Sequence, residues 1–83
     1  MKLSAVISTY NSEKVLKDCL ESLDFVDEIV VVDHTSQDNT TALAKKYTKH
    51  IFVQPNDPTQ IDLQKNFGFA KAKGDWILSI DAD

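Results

Sequence analysis

Two aspartates, Asp81 and Asp83, stand two residues apart at the end of the apolar stretch "WILSIDAD" (76–83). Side chains at positions i and i+2 of a strand share one face, so both carboxylates could reach one ligand. Carboxylate oxygens are hard donors that suit Mg²⁺ or Mn²⁺, which proteins commonly bind through one or two carboxylates plus substrate phosphates. The pattern indicates a site for a metal and a diphosphate, although a bare D-x-D arises easily by chance among ten aspartates.

Further polar residues follow two other apolar runs. Thr9, Tyr10 and Asn11 come after "LSAVIS" (3–8), and Asp33 closes "EIVVVD" (28–33). In a parallel α/β sheet all strands deliver their carboxyl ends to one edge, and ligands bind there. We therefore expect these groups to meet at one edge. Two alternatives stay open, since Asp33 also suits a loop or capping role and Tyr10 also suits packing.

The elements that must position these residues are visible as short apolar runs separated by longer amphipathic stretches. Near-continuous apolar runs of this length favour parallel strands covered on both faces. The runs occupy residues 3–8, 28–33, 50–54 and 76–81. The alternation predicts a βαβαβαβ chain with right-handed crossovers. The fold class is α/β, a Rossmann-like parallel sheet, and the strand order that brings the polar residues together is 3-2-1-4.

Local signals predict where the helices begin and end. Ser12 or Asn11 suits the N-cap of the first helix, and Ser36 and Asp38 are candidates for the N-cap of the second. Gly74 follows the third amphipathic stretch, where a left-handed residue often ends a helix.

Composition excludes several classes of function. The 83 residues carry a net charge of -4, and the nine lysines are scattered, so no basic surface for nucleic acid is expected. The single cysteine, Cys19, cannot form an internal disulfide and is predicted to be a small buried side chain. No apolar stretch approaches a membrane span and no signal peptide is recognisable, so we expect a cytoplasmic location.

Three segments together resemble a known family. "SAVISTYNSEKVLKDCLESL", "EIVVVDHTSQDNT" and "QKNFGFAKAKGDWILSIDAD" are similar, in order and spacing, to the N-terminal half of a family 2 glycosyltransferase. The similarity runs from residue 3 to residue 83 and is strongest to the bacterial lipopolysaccharide core β-1,4-glucosyltransferase-like proteins. It implies a GT-A fold, with residues 1–83 as the nucleotide-sugar-binding part, truncated after the D-x-D motif. The acceptor half and the catalytic base are then expected beyond residue 83.

The resemblance also implies roles for individual residues. Thr9, Tyr10 and Asn11 are expected to line the nucleotide pocket, and Asp33 to contact the uracil base. A basic residue of the third helix approaches the base or diphosphate, and the matching residue is Lys65. The bottom-up alternative for Lys65 is an ordinary exposed helix lysine.

The D-x-D pair matches the position at which the family binds ribose and the metal–diphosphate. Asp81 is therefore expected to bind the ribose and, with Asp83, the metal, Mn²⁺ or Mg²⁺. The chain departs from many relatives at His34 and Thr35, where they carry a second acid or a serine-glycine pair. We interpret His34 as a local loop residue rather than a catalytic base.

The resemblance implies a metal-dependent, inverting transfer of sugar from a nucleotide-diphospho-sugar, a UDP-sugar, to a saccharide or lipid-linked acceptor of the cell envelope, at the inner face of the membrane in a full-length protein. The alternatives are a non-catalytic nucleotide-binding fragment and a sugar-phosphate nucleotidyltransferase. The nucleotidyltransferase usually has a glycine-rich first loop, which "STYNSEK" lacks. A receiver domain would need an acidic pair after the first strand, and "STYN" (8–11) contains no acidic residue. We expect the 83 residues alone to be inactive and to form a homodimer through the edge of the fourth strand.

Overall fold

The computed structural model describes residues 2–55 and 71–82. Its elements in chain order are β1 (Leu3–Thr9), α1 (Glu13–Glu21), β2 (Glu28–Asp33), α2 (Thr40–Ala44), β3 (His50–Val53) and β4 (Trp76–Asp81). The predicted third helix, from a cap at Thr59 to Gly74, falls mostly on residues 56–70, which lie outside the described part. Within the described ranges, no helix has the length and apolar content needed to cross a bilayer.

The strands form one parallel sheet in the order β3-β2-β1-β4. This confirms the predicted order, with β1 between β2 and β4. The registers decide which side chains share a face, because paired residues of neighbouring parallel strands point the same way. Thr9 pairs with Asp33, and Ser8 pairs with Asp81.

The face of the sheet that carries Ile7 and Val31 is covered by α1 and α2. Helix α1 buries Leu16 and Leu20, four residues apart on one side of the helix. Full burial of one leucine side chain stabilises the fold by about 2 kcal/mol. Cys19 packs against the same cluster but is half-buried rather than fully buried as predicted, and burial raises the pKa of its thiol. A smaller cluster around Val30 occupies the opposite face.

The helix starts follow the predictions in part. Helix α1 has Ser12 at its N-cap, as predicted, although the serine hydroxyl donates to the Tyr10 carbonyl and makes no capping bond to the helix. Helix α2 begins later than expected, with Asn39 at its N-cap, so neither Ser36 nor Asp38 is the cap. The Ser36 hydroxyl donates to Asp33 at the end of β2, and Asp38 accepts from Thr40, the first residue of α2, and from the Glu13 N–H.

Gly74 does not end a helix in the left-handed conformation, because no glycine in the described residues has a positive φ. Its requirement is space. A Cβ at Gly74 would lie 2.4 Å from the Ser4 hydroxyl oxygen and 2.8 Å from the Ser4 backbone nitrogen. The Gly74 N–H donates to that hydroxyl over 2.8 Å. The glycine therefore lets the segment before β4 lie directly against β1.

Strand β4 lies at one end of the described sheet and is largely exposed. Trp76, Ile77 and Leu78 are 61%, 42% and 37% exposed, and in the described ranges β4 pairs only with β1. The other edge strand, β3, has four residues and is followed closely by Pro55. Short edge strands and nearby prolines discourage pairing with another chain, so β4 is the edge strand more prone to such pairing.

Candidate functional site

The carboxyl edge of the sheet carries two groups of polar side chains on opposite faces. Thr9 and Asp33 point to the face that α1 and α2 cover, while Ser8 and Asp81 point to the other. Alternation along β1 causes this division, because successive residues of a strand face opposite sides. The edge therefore has a buried group and a second, more accessible group.

Asp33 is the centre of the buried group. It is 1% exposed, and its Oδ1 accepts hydrogen bonds from the hydroxyls of Thr9 at 2.6 Å and Ser36 at 2.5 Å. Its Oδ2 accepts from the Ser36 backbone N–H at 2.8 Å. A buried carboxylate requires such partners, since an uncompensated one is very costly. Both of its oxygens are thus bonded within the protein.

The loop after β1 is joined directly to the loop after β2. The Asn11 N–H donates to the Ser36 hydroxyl at 2.8 Å, and the Gln37 N–H donates to Oδ1 of Asn11 at 2.7 Å. The Ser12 N–H donates to the hydroxyl of Thr40 at 2.8 Å. Asn11 has a φ of 48°, a conformation that asparagine tolerates better than most residues. These bonds fix the path of the chain immediately after Tyr10.

A second set of bonds joins the starts of the two helices. The Glu13 N–H donates to Oδ2 of Asp38 at 3.3 Å, and the Asn39 N–H donates to Oε1 of Glu13 at 3.2 Å. Oδ1 of Asp38 accepts from both the hydroxyl and the backbone N–H of Thr40. The Thr40 hydroxyl is the main cause that lowers the pKa of Asp38. Asp38 therefore orders the loop before α2 without being its N-cap residue.

Thr35 is one of the two loop residues at which the sequence differs from many relatives of the family. Its φ is 62°. This left-handed conformation suits glycine and is unusual for a β-branched residue. The Thr35 hydroxyl donates to the Gln54 carbonyl at 2.8 Å, which ties the end of β2 to the end of β3. The threonine thus adopts the backbone conformation that a glycine would, with a side-chain bond that a glycine lacks.

The more accessible group contains a buried histidine. Nε2 of His34 lies 2.8 Å from the Ser8 hydroxyl, and the His34 N–H donates to the Thr9 carbonyl at 2.9 Å. His34 is 8% exposed and lies on the sheet face that carries Asp81. Sequence reasoning left Ser8 out of the site and took His34 as a local loop residue. Strand alternation was the signal available, because it separates Ser8 from Thr9.

The structure brings Thr9 of β1 and Asp33 of β2 into contact. Asp81 lies on β4, on the other side of β1 from β2. Tyr10 is half-buried, whereas Asn11 and Asp81 are exposed. Lys65 and Asp83 lie outside the described residues. Asp81 supplies one hard carboxylate donor at the open end of β4, and the described residues hold no cluster of three or more metal-ligating side chains. This donor chemistry fits Mg²⁺ or Mn²⁺ held largely by substrate phosphates.

A groove of about 940 Å³ lies at the opposite edge of the sheet. Its lining mixes lysines such as Lys45 and Lys49 with acids such as Glu21 and Asp27. None of the described residues predicted for the site lines this groove. Its mixed charges indicate a solvated boundary, as the sequence suggested for the amino-terminal ends of the strands.

Comparison with known proteins decides the family. The family model "Glycosyl transferase family 2" matches residues 4–83. The chain belongs to glycosyl transferase family 2. This confirms the resemblance recognised in the sequence. The chain is similar over 99% of its length to a structure of glucosyl-3-phosphoglycerate synthase from Mycobacterium tuberculosis in complex with Mg²⁺ and UDP, with a TM-score of 0.74 and 24% identity. That similarity confirms the fold, and the chain covers 33% of the synthase.

Curated relatives of this chain carry different names. It is 37% identical over 83 residues to an uncharacterized glycosyltransferase of Rickettsia felis and covers 29% of it. It is 34% identical over 91 residues to the lipopolysaccharide core biosynthesis glycosyltransferase LpsC of Rhizobium meliloti, covering 32%. It is 31% identical over 99 residues to the poly(ribitol-phosphate) beta-N-acetylglucosaminyltransferase TarS of Staphylococcus aureus, covering 16%. The matches span 99–100% of this chain and a third or less of each relative.

Proposed function

We propose that the chain forms the donor-binding part of a metal-dependent, inverting glycosyltransferase that uses a UDP-sugar. The observation that carries this proposal is the gathering of Tyr10, Asn11 and Asp81 at the carboxyl edge around the central strand β1. In parallel α/β sheets this edge is where nucleotides bind. Membership of the family supplies the reaction class, transfer of a glycosyl group.

The roles proposed for the side chains are based on those that the family resemblance implies, and the exposure of Tyr10, Asn11 and Asp81 supports them. Tyr10 and Asn11 line the nucleotide pocket from the loop after β1. Asp81 binds the ribose and, with Asp83, holds Mg²⁺ or Mn²⁺. The bound metal stabilises the negative charge of the departing diphosphate. Lys65 is proposed to approach the base or diphosphate, and Thr9 and Asp33 support the pocket from the buried face.

The acceptor is proposed to be a saccharide or lipid-linked component of cell-envelope polysaccharide or lipopolysaccharide. Relatives named for lipopolysaccharide core biosynthesis and for poly(ribitol-phosphate) modification support this class. The catalytic base is proposed to lie outside residues 1–83. The cytoplasm, at the inner face of the membrane for a full-length protein, is the proposed location.

A non-catalytic nucleotide-binding role for the 83 residues by themselves is the second candidate. The chain spans 16–32% of the length of these relatives. Turnover by the 83 residues in a UDP-sugar transfer assay would exclude the non-catalytic role, and it would also contradict the proposed position of the catalytic base outside residues 1–83.

Calorimetric titration with UDP tests donor binding. We expect weak binding in the presence of Mg²⁺ or Mn²⁺ and loss of most of that affinity in EDTA. Asp81→Asn should reduce the metal-dependent part of the affinity. Asp24→Asn, the same change at an exposed position lining the opposite groove, is the matched control. Equal affinity for UDP with and without metal would contradict the proposed metal site.

A further inference from the structure

The carboxylate of Asp33 has little room for a ligand. Its side chain is 1% exposed, and three hydrogen bonds from Thr9 and Ser36 already reach its two oxygens. Among residues 2–55 and 71–82, no lysine or histidine forms an ion pair with it. Within the described residues its charge is therefore compensated by hydrogen-bond donors, and removal of one donor would leave the charge under-compensated.

Ser36 links Asp33 to the loop after β1 through two hydrogen bonds of its hydroxyl. The Ser36 hydroxyl donates its proton to Oδ1 of Asp33 and accepts the N–H of Asn11, so it has one role on each side. Gln37, the next residue, donates its N–H to the Asn11 side chain. Asn11 is consequently held by two consecutive residues of the loop after β2, although it belongs to the loop after β1.

Tyr10 lies between two anchored neighbours. Thr9 donates to Asp33 on one side, and Asn11 is held through Ser36 on the other. The Tyr10 N–H and carbonyl both bond to the Ser12 hydroxyl, at 3.1 and 3.2 Å. The backbone position of Tyr10 is thereby determined by a chain of hydrogen bonds that starts at Asp33.

We propose that Asp33 is a positioning residue, which fixes the loop carrying Tyr10 and Asn11 through Thr9 and Ser36, and does not itself contact the base of the donor. This inference rests on the proposed donor-binding function and replaces the base contact that the family resemblance implied for Asp33. A positioning residue affects binding of every nucleotide alike. A residue that contacts the base affects nucleotides according to their base, because uracil and cytosine present different donors and acceptors at the pyrimidine N3 and C4 positions.

The first test needs no ligand. Asp33→Asn and Ser36→Ala are compared with the wild type by NMR-detected hydrogen exchange of the Asn11 amide. We expect exchange of that amide to accelerate about fivefold or more in both variants, the effect of losing a hydrogen bond of about 1 kcal/mol. Ser22→Ala is the matched control, because the Ser22 hydroxyl bonds to the Cys19 carbonyl at the far end of α1. Unchanged exchange at Asn11 in Ser36→Ala would overturn the proposal, even if Asp33→Asn fails to fold.

The second test uses UDP and CDP as probes, each titrated with Mg²⁺. We expect Asp33→Asn and Ser36→Ala each to weaken the binding of UDP and the binding of CDP by the same factor. The ratio of the two dissociation constants should then stay at the wild-type value. A loss confined to UDP in Asp33→Asn would show a base contact and overturn the proposal. Failure of the wild type to bind either nucleotide would instead refute the donor-binding function, and hydrogen exchange at Asn11 would still decide whether Asp33 holds the loop.

Discussion

Ser8 and His34 meet across the carboxyl edge of the sheet, where the histidine Nε2 lies 2.8 Å from the serine hydroxyl. The two residues are 26 positions apart in the chain, and the contact joins the end of β1 to the residue that follows β2. Removal of either side chain would leave the other without this partner, at a place where His34 is buried.

A double-mutant cycle measures this contact. We expect Ser8→Ala to lower the free energy of unfolding by about 1 kcal/mol and His34→Ala by about 2 kcal/mol, because each leaves a polar group without its partner. The double variant should be less destabilised than the sum, with a coupling of about 1 kcal/mol. Urea denaturation followed by circular dichroism provides the values, and strictly additive losses would mean that the bond contributes nothing.

Thr35 offers a test of backbone strain. Thr35→Gly loses the hydroxyl bond to Gln54 but relieves a left-handed conformation that costs a non-glycine residue about 1 kcal/mol or more. Thr35→Val also loses the bond and keeps the strain. We expect the glycine variant to stay within about 1 kcal/mol of the wild type in urea denaturation, and the valine variant to be less stable by about 1–2 kcal/mol. A valine variant as stable as the glycine variant would contradict the strain.

Glu28 predicts how stability depends on pH. The hydrogen bond from the Lys73 backbone N–H has the largest effect in lowering the pKa of Glu28. The hydrogen bond from the Ser4 hydroxyl lowers that pKa further. A carboxyl whose pKa is lower in the folded state than the unfolded value of 4.5 stabilises the protein above that value. This contribution is lost as the pH falls through the folded pKa.

The measurement is the urea midpoint between neutral pH and about pH 3, the range in which carboxylates titrate. We expect Glu28→Gln to lower the midpoint at neutral pH and to make its decline in acid shallower. Glu21→Gln, at an exposed position on α1, is the control and should keep the wild-type slope. An unchanged acid slope in Glu28→Gln would refute the assignment.

The open edge of β4 predicts self-association of the 83 residues. Among the described residues β4 has a strand partner on one side only, and pairing on its other side would cover Trp76, Ile77 and Leu78. Two-fold dimers are the commonest arrangement for such surfaces. We expect a dimer by size-exclusion chromatography with light scattering, and a monomer for Trp76→Lys. Phe25→Lys is a matched control, since Phe25 is as exposed as Trp76, 61%, and lies outside the sheet. A monomeric wild type would exclude the pairing.

The fold was predictable because it depends on local patterns. The apolar runs and their spacing determine the strands, and the polar residues that follow each run imply the strand order. The exposure of the site residues was harder to predict. Thr9 and Asp33 are buried, because strand alternation turns them toward the helices.

The bonds that organise the loops were outside the reach of pattern arguments. Asn11 bonds to Ser36 and Gln37, 25 and 26 residues later, and sequence spacing contains no signal for such a contact. Gly74 illustrates the same limit. The local pattern suggested a helix end, whereas a close approach to Ser4, 70 residues away in the chain, determines why glycine is required.

The division of Ser8 and Thr9 between the two faces of the sheet has a consequence for folding fidelity. If β1 slipped by one residue against β2, the two hydroxyls would exchange sides. Thr9 would then move away from Asp33, and Ser8 would move away from His34. Both bonds form together only in the native alignment, so this pair of adjacent hydroxyls penalises a mispaired sheet twice for a single error.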